Sequence, residues 1–231
     1  YVITNRCEVL CLDVKGQSDG NAGPYMDEMT FSEMKELLPT DADIVWRFDM
    51  REELGVFPHN ITSSSVLIVG DVVYANTSNG QDWSHVNIPN PRAPCLIALN
   101  KRTGALIGEE GSDVSRRLIH GNWSSPSFGE AGGNALLFFG AGDGWVYGYD
   151  PLPRVEANGF AVFRELFRAD ANDPETRVKD GQPRKYPSYE GYSEIIATPV
   201  FEGGRLYVST GQDPEHGEDV GRLTCFDPSM R

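Results

Sequence analysis

Glycine and proline punctuate the chain at intervals of roughly ten residues, and the short runs between them are rich in Val, Ile, Tyr and Phe, the pattern of many short strands. One line recurs: EVLCLD at 8 to 13, CLIALN at 95 to 100, WVYGYD at 145 to 150 and RLTCFD at 222 to 227, each ending in an apolar residue followed by Asp or Asn. Upstream of three of these lies a second line, in which a small residue or proline enters an apolar strand, a turn follows, and another apolar strand leaves. The three are SSSVLIVGDVVYAN (63 to 76), SSPSFGEAGGNALLFFG (124 to 140) and ATPVFEGGRLYVSTG (197 to 211). Tyr1-Val2-Ile3-Thr4-Asn5 matches Tyr207-Val208-Ser209-Thr210-Gly211 nearly residue for residue, so the chain is expected to open inside a repeat. A third line alternates aromatic and charged residues, clearly in DIVWRFDM (43 to 50) and more weakly in ELFRAD (165 to 170).

Taken together the lines give strands A, B, C and D of an up-and-down sheet of about 40 to 50 residues, the size of one β-propeller blade. The fold class predicted is all-β, a propeller of four-stranded antiparallel blades. Strands B to D of a first blade fall in 1 to 50, a second blade in 59 to 110, a third in 118 to 170, and strands A to C of a fourth in 190 to 228. Residues 14 to 42 interrupt the first blade, where Thr30 and Glu33 are spaced as a capping box and Phe31, Met34, Leu37 and Leu38 fall on one face of a short helix.

Composition narrows the function classes. A chain of 231 residues, 39% hydrophobic, buries an ordinary core, and a net charge of −14 spread without long single-sign blocks repels polyanions and argues against nucleic acid as a partner. No apolar run approaches the roughly 20 residues that span a bilayer. The start, YVITN, carries neither Met nor a basic-then-apolar leader and looks trimmed, so it does not reveal localisation. Cys7, Cys11, Cys95 and Cys225 follow no zinc-like spacing and no disulfide framework, and are expected as buried free thiols. The sequons at Asn60, Asn76 and Asn122 bear only on a secretory eukaryotic protein.

ALNKRTGALIG, residues 98 to 108, resembles the A-x-D-x-x-T-G-x-x-x-W signature of the pyrroloquinoline-quinone-type repeat, found in quinoprotein alcohol dehydrogenases and in the outer-membrane assembly lipoprotein of the same propeller class. Ala98, Thr103 and Gly104 match, Asn100 stands in place of Asp, and Gly108 in place of the docking Trp; Trp46 is the better equivalent of a strand-D tryptophan. Over nearly its whole length the chain is similar to the PQQ-binding-like propeller proteins of planctomycete-type bacteria, most specifically in HGNWSSP, GDGWVYGYD and IIATPVFEGGRLYVSTGQDPEHGE. The resemblance implies a six- to eight-bladed propeller exported to the periplasm or beyond. Four blades or fewer rarely close, so another segment or chain is expected to complete the ring.

Three sets of residues are candidates for chemistry. His59 lies six residues before Ser65 and His120 six before Pro126, both on the lead-in to a strand A, with Ser193 beside Glu194 as the counterpart in the last repeat. Imidazoles repeated at one position suit a ligand ring or general bases, and equally suit loop caps that bond backbone between blades. Gly80-Gln81-Asp82, Gly142-Asp143 and Gly211-Gln212-Asp213 place an acid after strand B in three repeats, with His85 and His216 a little further on. Converging carboxylates would suit calcium, yet Asp and Gly also dominate turns, and the D-x-D-x-D-G pattern is absent. Trp83, Trp123 and Trp145 sit in or beside the same loops, where they serve either a planar quinone or inter-blade packing.

The expected role is a non-catalytic binding or scaffold module in the bacterial envelope with a protein partner, and no metal is assigned. The alternative, implied by the resemblance, is an oxidoreductase domain that holds pyrroloquinoline quinone and calcium through His59, His120, Asp143 and Trp145. A hydrolase or lyase with a histidine-lined channel is the third reading. Against the dehydrogenase stand the absence of a vicinal Cys-Cys pair, of a matched catalytic Asp and of a haem C-x-x-C-H. In the loop at 212 to 221, Glu215, His216 and Glu218 are expected to form a hydrated tip or a partner contact rather than a metal site.

Overall fold

Each recurring Asp or Asn ends a strand and caps the turn that follows. The Oδ1 atoms of Asp13, Asn100, Asp150 and Asp227 accept from the backbone N–H two residues on, at Lys15 (2.7 Å), Arg102 (2.9 Å), Leu152 (3.2 Å) and Ser229 (3.0 Å). This is the Asx turn, in which a short side chain imitates the backbone carbonyl and stops the strand. The computed structural model describes residues 1 to 183, 192 to 211 and 221 to 230. The expectations for Gln212, Asp213, Glu215, His216 and Glu218 lie outside the described residues.

The first sheet is the antiparallel set β1 (Val2–Ile3), β2 (Glu8–Asp13) and β3 (Asp43–Asp49). The second is the meander β4 (Leu67–Val69), β5 (Val72–Asn76), β6 (Leu96–Asn100) and β7 (Leu106–Glu110). The third opens with β8 (Ser127–Ala131), β9 (Asn134–Gly140) and β10 (Trp145–Tyr149). The chain then returns to the second sheet, where the hairpin β11 (Arg154–Val155) and β12 (Ala161–Phe163) adds to its outer edge, β12 lying parallel to β7. Afterwards β13 (Glu165–Asp170) completes the third sheet beside β10. A small hairpin, β14 (Val178–Lys179) and β15 (Gln182–Pro183), precedes the last sheet of β16 (Val200–Glu202), β17 (Arg205–Thr210) and β18 (Arg222–Phe226). The repeat pattern does not predict the hairpin on β7, which covers an edge that would otherwise expose unpaired backbone groups.

The sheets are stacked face to face, and the period-2 pattern of the inner strands shows how. On β5, Val73 and Ala75 pack with Val9, Trp46 and Phe48 of the first sheet, while Tyr74 turns the other way onto Leu137, Tyr147 and Tyr149 of the third. On β9, Leu137 and Phe139 face the second sheet, and Phe138 faces the last, stacked 5.4 Å from Phe201. Successive sheets with apolar residues on both faces are the construction of a β-propeller. Trp46 docks on the neighbouring turn: its Nε1–H donates to the Lys101 carbonyl at 3.1 Å, and a Cβ on Gly104 would meet its ring at 2.7 Å. At the next junction Gly108 lies so close to Pro153 that a Cβ would meet its ring carbons at 2.3 Å, and the Tyr74 hydroxyl donates to the Pro151 carbonyl at 2.7 Å. Proline and tyrosine close that junction.

Two local expectations need correction. The helix in the insertion spans Glu28–Ser32 with Asp27 as its N-cap, and Glu33 is its left-handed C-cap at φ 57°, so Thr30 and Glu33 are no capping box. The helix is set by buried Glu28, whose carboxylate accepts from Ile44 N–H at 3.3 Å and from Asn21 at 2.8 Å and so pins the first turn to β3. Met34 and Leu37 do face the sheet, lining a cavity of about 200 Å³ with Leu10, Leu12 and Ile44, whereas Leu38 is exposed. All four cysteines are free, but only Cys7 and Cys95 are buried; Cys11 is half-buried and Cys225 exposed. Cys225 is exposed because it pairs with exposed Tyr207, on the face of the last sheet opposite Leu206, Val208 and Phe226. Among the described residues no helix is long and apolar enough to cross a membrane.

Candidate functional site

The lead-ins to β4, β8 and β16 are laced to the loops that follow β5 and β9. Gly80 N–H donates to the Phe57 carbonyl at 2.9 Å, Gln81 N–H to the His120 carbonyl at 2.8 Å, Ile119 N–H to Gly142 at 2.8 Å and Ile195 N–H to Ala141 at 3.2 Å. Asn122 reinforces the lacing: its amide donates to Asn79 at 2.8 Å and its oxygen accepts from Gly142 N–H at 2.8 Å. These ties hold His59 and His120 at one end of neighbouring sheets. Gly80 fits between them because a Cβ there would stand 2.7 Å from His59 Cβ and 3.0 Å from the His120 carbonyl.

The two buried imidazoles meet with ring centroids 4.1 Å apart and Nε2 atoms 2.6 Å apart. His59 Nδ1 lies 2.8 Å from the Gln81 carbonyl, an oxygen that only accepts, so Nδ1 carries the proton and Nε2 of the neutral ring offers a lone pair. A third imidazole completes the group. Residues 82 to 87 curl back on the Asp82 carboxylate, which accepts from Ser84 N–H at 2.9 Å, and on the bond from Asp82 N–H to the Asn87 carbonyl at 2.9 Å. That loop carries His85 at φ 56° and sets its ring 4.8 Å from both His59 and His120. One donor atom from each of the three lies within 4.8 Å of the others, a spacing from which they could share one metal ion. Trp83 and Trp123 flank the group, at 5.9 Å from His59 and 5.2 Å from His120. From the last lead-in, buried Glu194 brings Oε1 to 3.8 Å from His120 Nδ1.

Asp143 and Trp145 belong to a different arrangement. The buried Asp143 carboxylate accepts from Tyr147 Oη–H at 2.6 Å, Arg117 Nε–H at 3.2 Å and its neighbour Trp145 N–H at 3.1 Å, so both oxygens are engaged. Burial pushes its pKa up, and these three donors pull it back. The Trp145 ring carries the guanidinium groups of Arg168 and Arg177 over it, at 5.5 and 5.7 Å. Nearby, burial raises the Cys95 thiol well above its usual range and pushes Glu110 up to about 7. With both Asp143 oxygens engaged by the protein's own donors and two guanidinium groups against the Trp145 ring, these two residues are not arranged around a quinone. Among the described residues the acids do not converge for calcium either, since Asp82 closes its own turn and Asp143 its own ion pair.

Of the four residues singled out from sequence, His59 and His120 are brought together and Asp143 and Trp145 are engaged elsewhere. The sequence places His85 with the loop acids that follow strand B, not with His59 and His120. What identifies it is Gly80-Gln81, since Gly80 allows the two lead-ins to close and Gln81 holds His59, which puts the following loop over the imidazole pair.

The sheets and their stacking define the chain as an all-β protein of β-propeller type. No family model matches it, and no curated protein does. Among solved structures it is similar to a quinohemoprotein alcohol dehydrogenase of Pseudomonas putida at 14% identity, over 75% of this chain and 20% of that one, with a TM-score of 0.47. It is also similar to BamB of Moraxella catarrhalis (15% identity, 73% and 38% covered, TM-score 0.44). The computationally designed Ika8 protein gives 12% identity, 66% and 31% covered, and a TM-score of 0.34. The chain thus spans well under half the length of each of these structures.

Proposed function

We propose that this chain is part of a β-propeller acting as a non-catalytic binding or scaffold module of the bacterial envelope, with its recognition face at the loop end where the lead-ins converge. The observation that carries the reading is an apolar lip above the imidazoles: Trp83 is 74% exposed, Val86 76% and Ile61 46%. A tryptophan held in solvent beside buried polar groups has the make-up of an interface anchor, which buries a large rigid area at small entropic cost. A periplasmic location, and a protein partner that includes whatever completes the ring, belong to the same reading. No observation favours the quinone-dependent alternative.

The test replaces Trp83→Ala together with Val86→Ser in the full-length protein. Leu152→Ser serves as the control, an exposed apolar residue at the opposite strand end. Cross-linking in envelope extract followed by mass spectrometry is expected to lose the same partner from the double variant and keep it in the control. Equal recovery by all forms, or no recovery by any, overturns the reading. Incubation with pyrroloquinoline quinone and calcium is expected to give neither cofactor absorbance nor dye reduction with alcohols; stoichiometric quinone binding would replace this proposal with the oxidoreductase one.

A further inference from the structure

We infer that His59, His85 and His120 form a site for one divalent transition-metal ion of the zinc class, with Glu194 as the residue that orients His120. The inference rests on the reading of the loop end as a binding face and names the ligand at its centre. Three donor atoms already lie within 4.8 Å of one another. Tetrahedral zinc with bonds of about 2.0–2.1 Å holds its nitrogens about 3.3 Å apart. The 2.6 Å between His59 Nε2 and His120 Nε2 therefore has to open by less than an ångström, within the reach of small side-chain rotations.

Proton placement points the same way. With His59 protonated on Nδ1 by its bond to the Gln81 carbonyl, the contact between the two Nε2 atoms requires the proton to sit on His120 Nε2. An ion displaces that proton, and neutral His120 then carries its hydrogen on Nδ1, the nitrogen that faces Glu194. Glu194 Oε1 is buried and accepts no hydrogen bond from the described residues. A carboxylate held this way is costly unless it gains a donor, and a metal-bound His120 supplies one across the 3.8 Å gap. Carboxylate to imidazole to metal is the usual outer arrangement of histidine sites. A pair of histidines that merely bond loops together requires neither the third imidazole nor a buried carboxylate behind the second.

The donor set selects the ion. Three imidazole nitrogens suit zinc, copper, nickel or cobalt and disfavour calcium and magnesium, which take oxygen. Three protein ligands leave a fourth position for water or a donor group of a bound partner.

The experiment strips the full-length protein with a chelator and titrates it with zinc against a chromophoric competitor, with cobalt as a spectroscopic probe. One equivalent is expected to bind, and cobalt is expected to give the visible bands of a four-coordinate nitrogen site. His85→Ala, which changes a half-buried loop residue and spares the core, is expected to weaken binding at least 100-fold with an unchanged circular dichroism spectrum. Glu194→Gln is expected to weaken it about 10- to 100-fold while the cobalt bands persist. Absence of stoichiometric zinc, or zinc bound equally by His85→Ala, overturns the site. Metal binding is read without any partner, so it can fail while the Trp83/Val86 variants still lose theirs, or stand while they lose nothing.

Discussion

Two polar clusters lie buried at the loop end of the sheets. Around Asp143, every strong group finds its complement: both carboxylate oxygens accept from Tyr147, Arg117 and Trp145, and Arg177 adds a bond to the Asp143 carbonyl at 3.1 Å. Around His59 and His120 the donor atoms of three side chains face one another and a carboxylate stands behind. The first cluster is complete as a piece of structure, because each desolvated group recovers its hydrogen bonds inside the protein. The second gathers one donor atom from each of three imidazoles within 4.8 Å, the arrangement from which the zinc-site proposal starts. Burial alone does not tell a site from a strut; what tells them apart is whether lone pairs are spent within the cluster or converge on a common point.

The comparison breaks most sharply on stability. Asp143→Ala removes the acceptor of Tyr147, Arg117 and Trp145 at once; the buried Tyr147 hydroxyl is left with only the bond from Arg117, and the half-buried guanidinium loses its counter-charge and keeps the Ser112 and Asp113 carbonyls. It is expected to lower the free energy of unfolding by about 3 to 5 kcal/mol, measured by urea denaturation of the metal-free protein. His85→Ala is expected to change the same quantity by less than about 1 kcal/mol, as half-buried loop substitutions do. If the two variants cost the same, the distinction between strut and site is wrong.

The repeat was legible because its physics is local. Apolar alternation and an Asx turn after β2, β6, β10 and β18 are both written within six residues of sequence, and the structure follows them. The pairing of His59 with His120 was half legible, as both stand the same distance before a strand A. Its third member was not, since the place of His85 depends on the curl of residues 82 to 87 and on Gly80 letting two lead-ins approach. The Asp143 cluster misled for the opposite reason. Position in the repeat marked Asp143 as a loop acid, while Arg117, which sits beside it, comes from 26 residues earlier and belongs to no repeated line. The insertion helix was misplaced because a capping-box spacing is weak beside Glu28, which reaches across to β3.

pH offers a second way to separate the clusters. Glu110 is pushed up to about 7, first by burial, against backbone donors at Ser112 (2.7 Å) and Cys95 (3.3 Å), with Asp143 raising it and Arg117 lowering it. An acid whose folded pKa lies above its unfolded value of about 4.5 binds more protons folded than unfolded. Its contribution is therefore present below pH 4.5 and is lost as pH rises through 7. Asp143, raised for the same reason, adds a loss of the same sign. A rise from about 4.5 to about 7 sets a scale of roughly 3 kcal/mol. Glu110→Gln is expected to flatten the decline of melting temperature between pH 5 and 8. An unchanged slope would move the cause away from this cluster.

The smallest effect tests the repeated acid itself. Asn100 stands where the other three recurring lines have Asp13, Asp150 and Asp227, and its Oδ1 accepts from both Arg102 N–H at 2.9 Å and Thr103 N–H at 3.1 Å. Either residue presents the same oxygen, so Asn100→Asp is expected to leave unfolding within about 0.5 kcal/mol, whereas Asn100→Ala loses the turn and costs about 1 kcal/mol. Neither change is expected to alter zinc affinity, since this turn lies at the strand end away from the imidazoles. A large effect of Asn100→Asp would mean that the charge acts at a distance, and that the acids of the repeat are more than strand terminators. A null effect of Asn100→Ala would mean instead that Trp46, donating to the Lys101 carbonyl at 3.1 Å, holds the turn without the Asx bond.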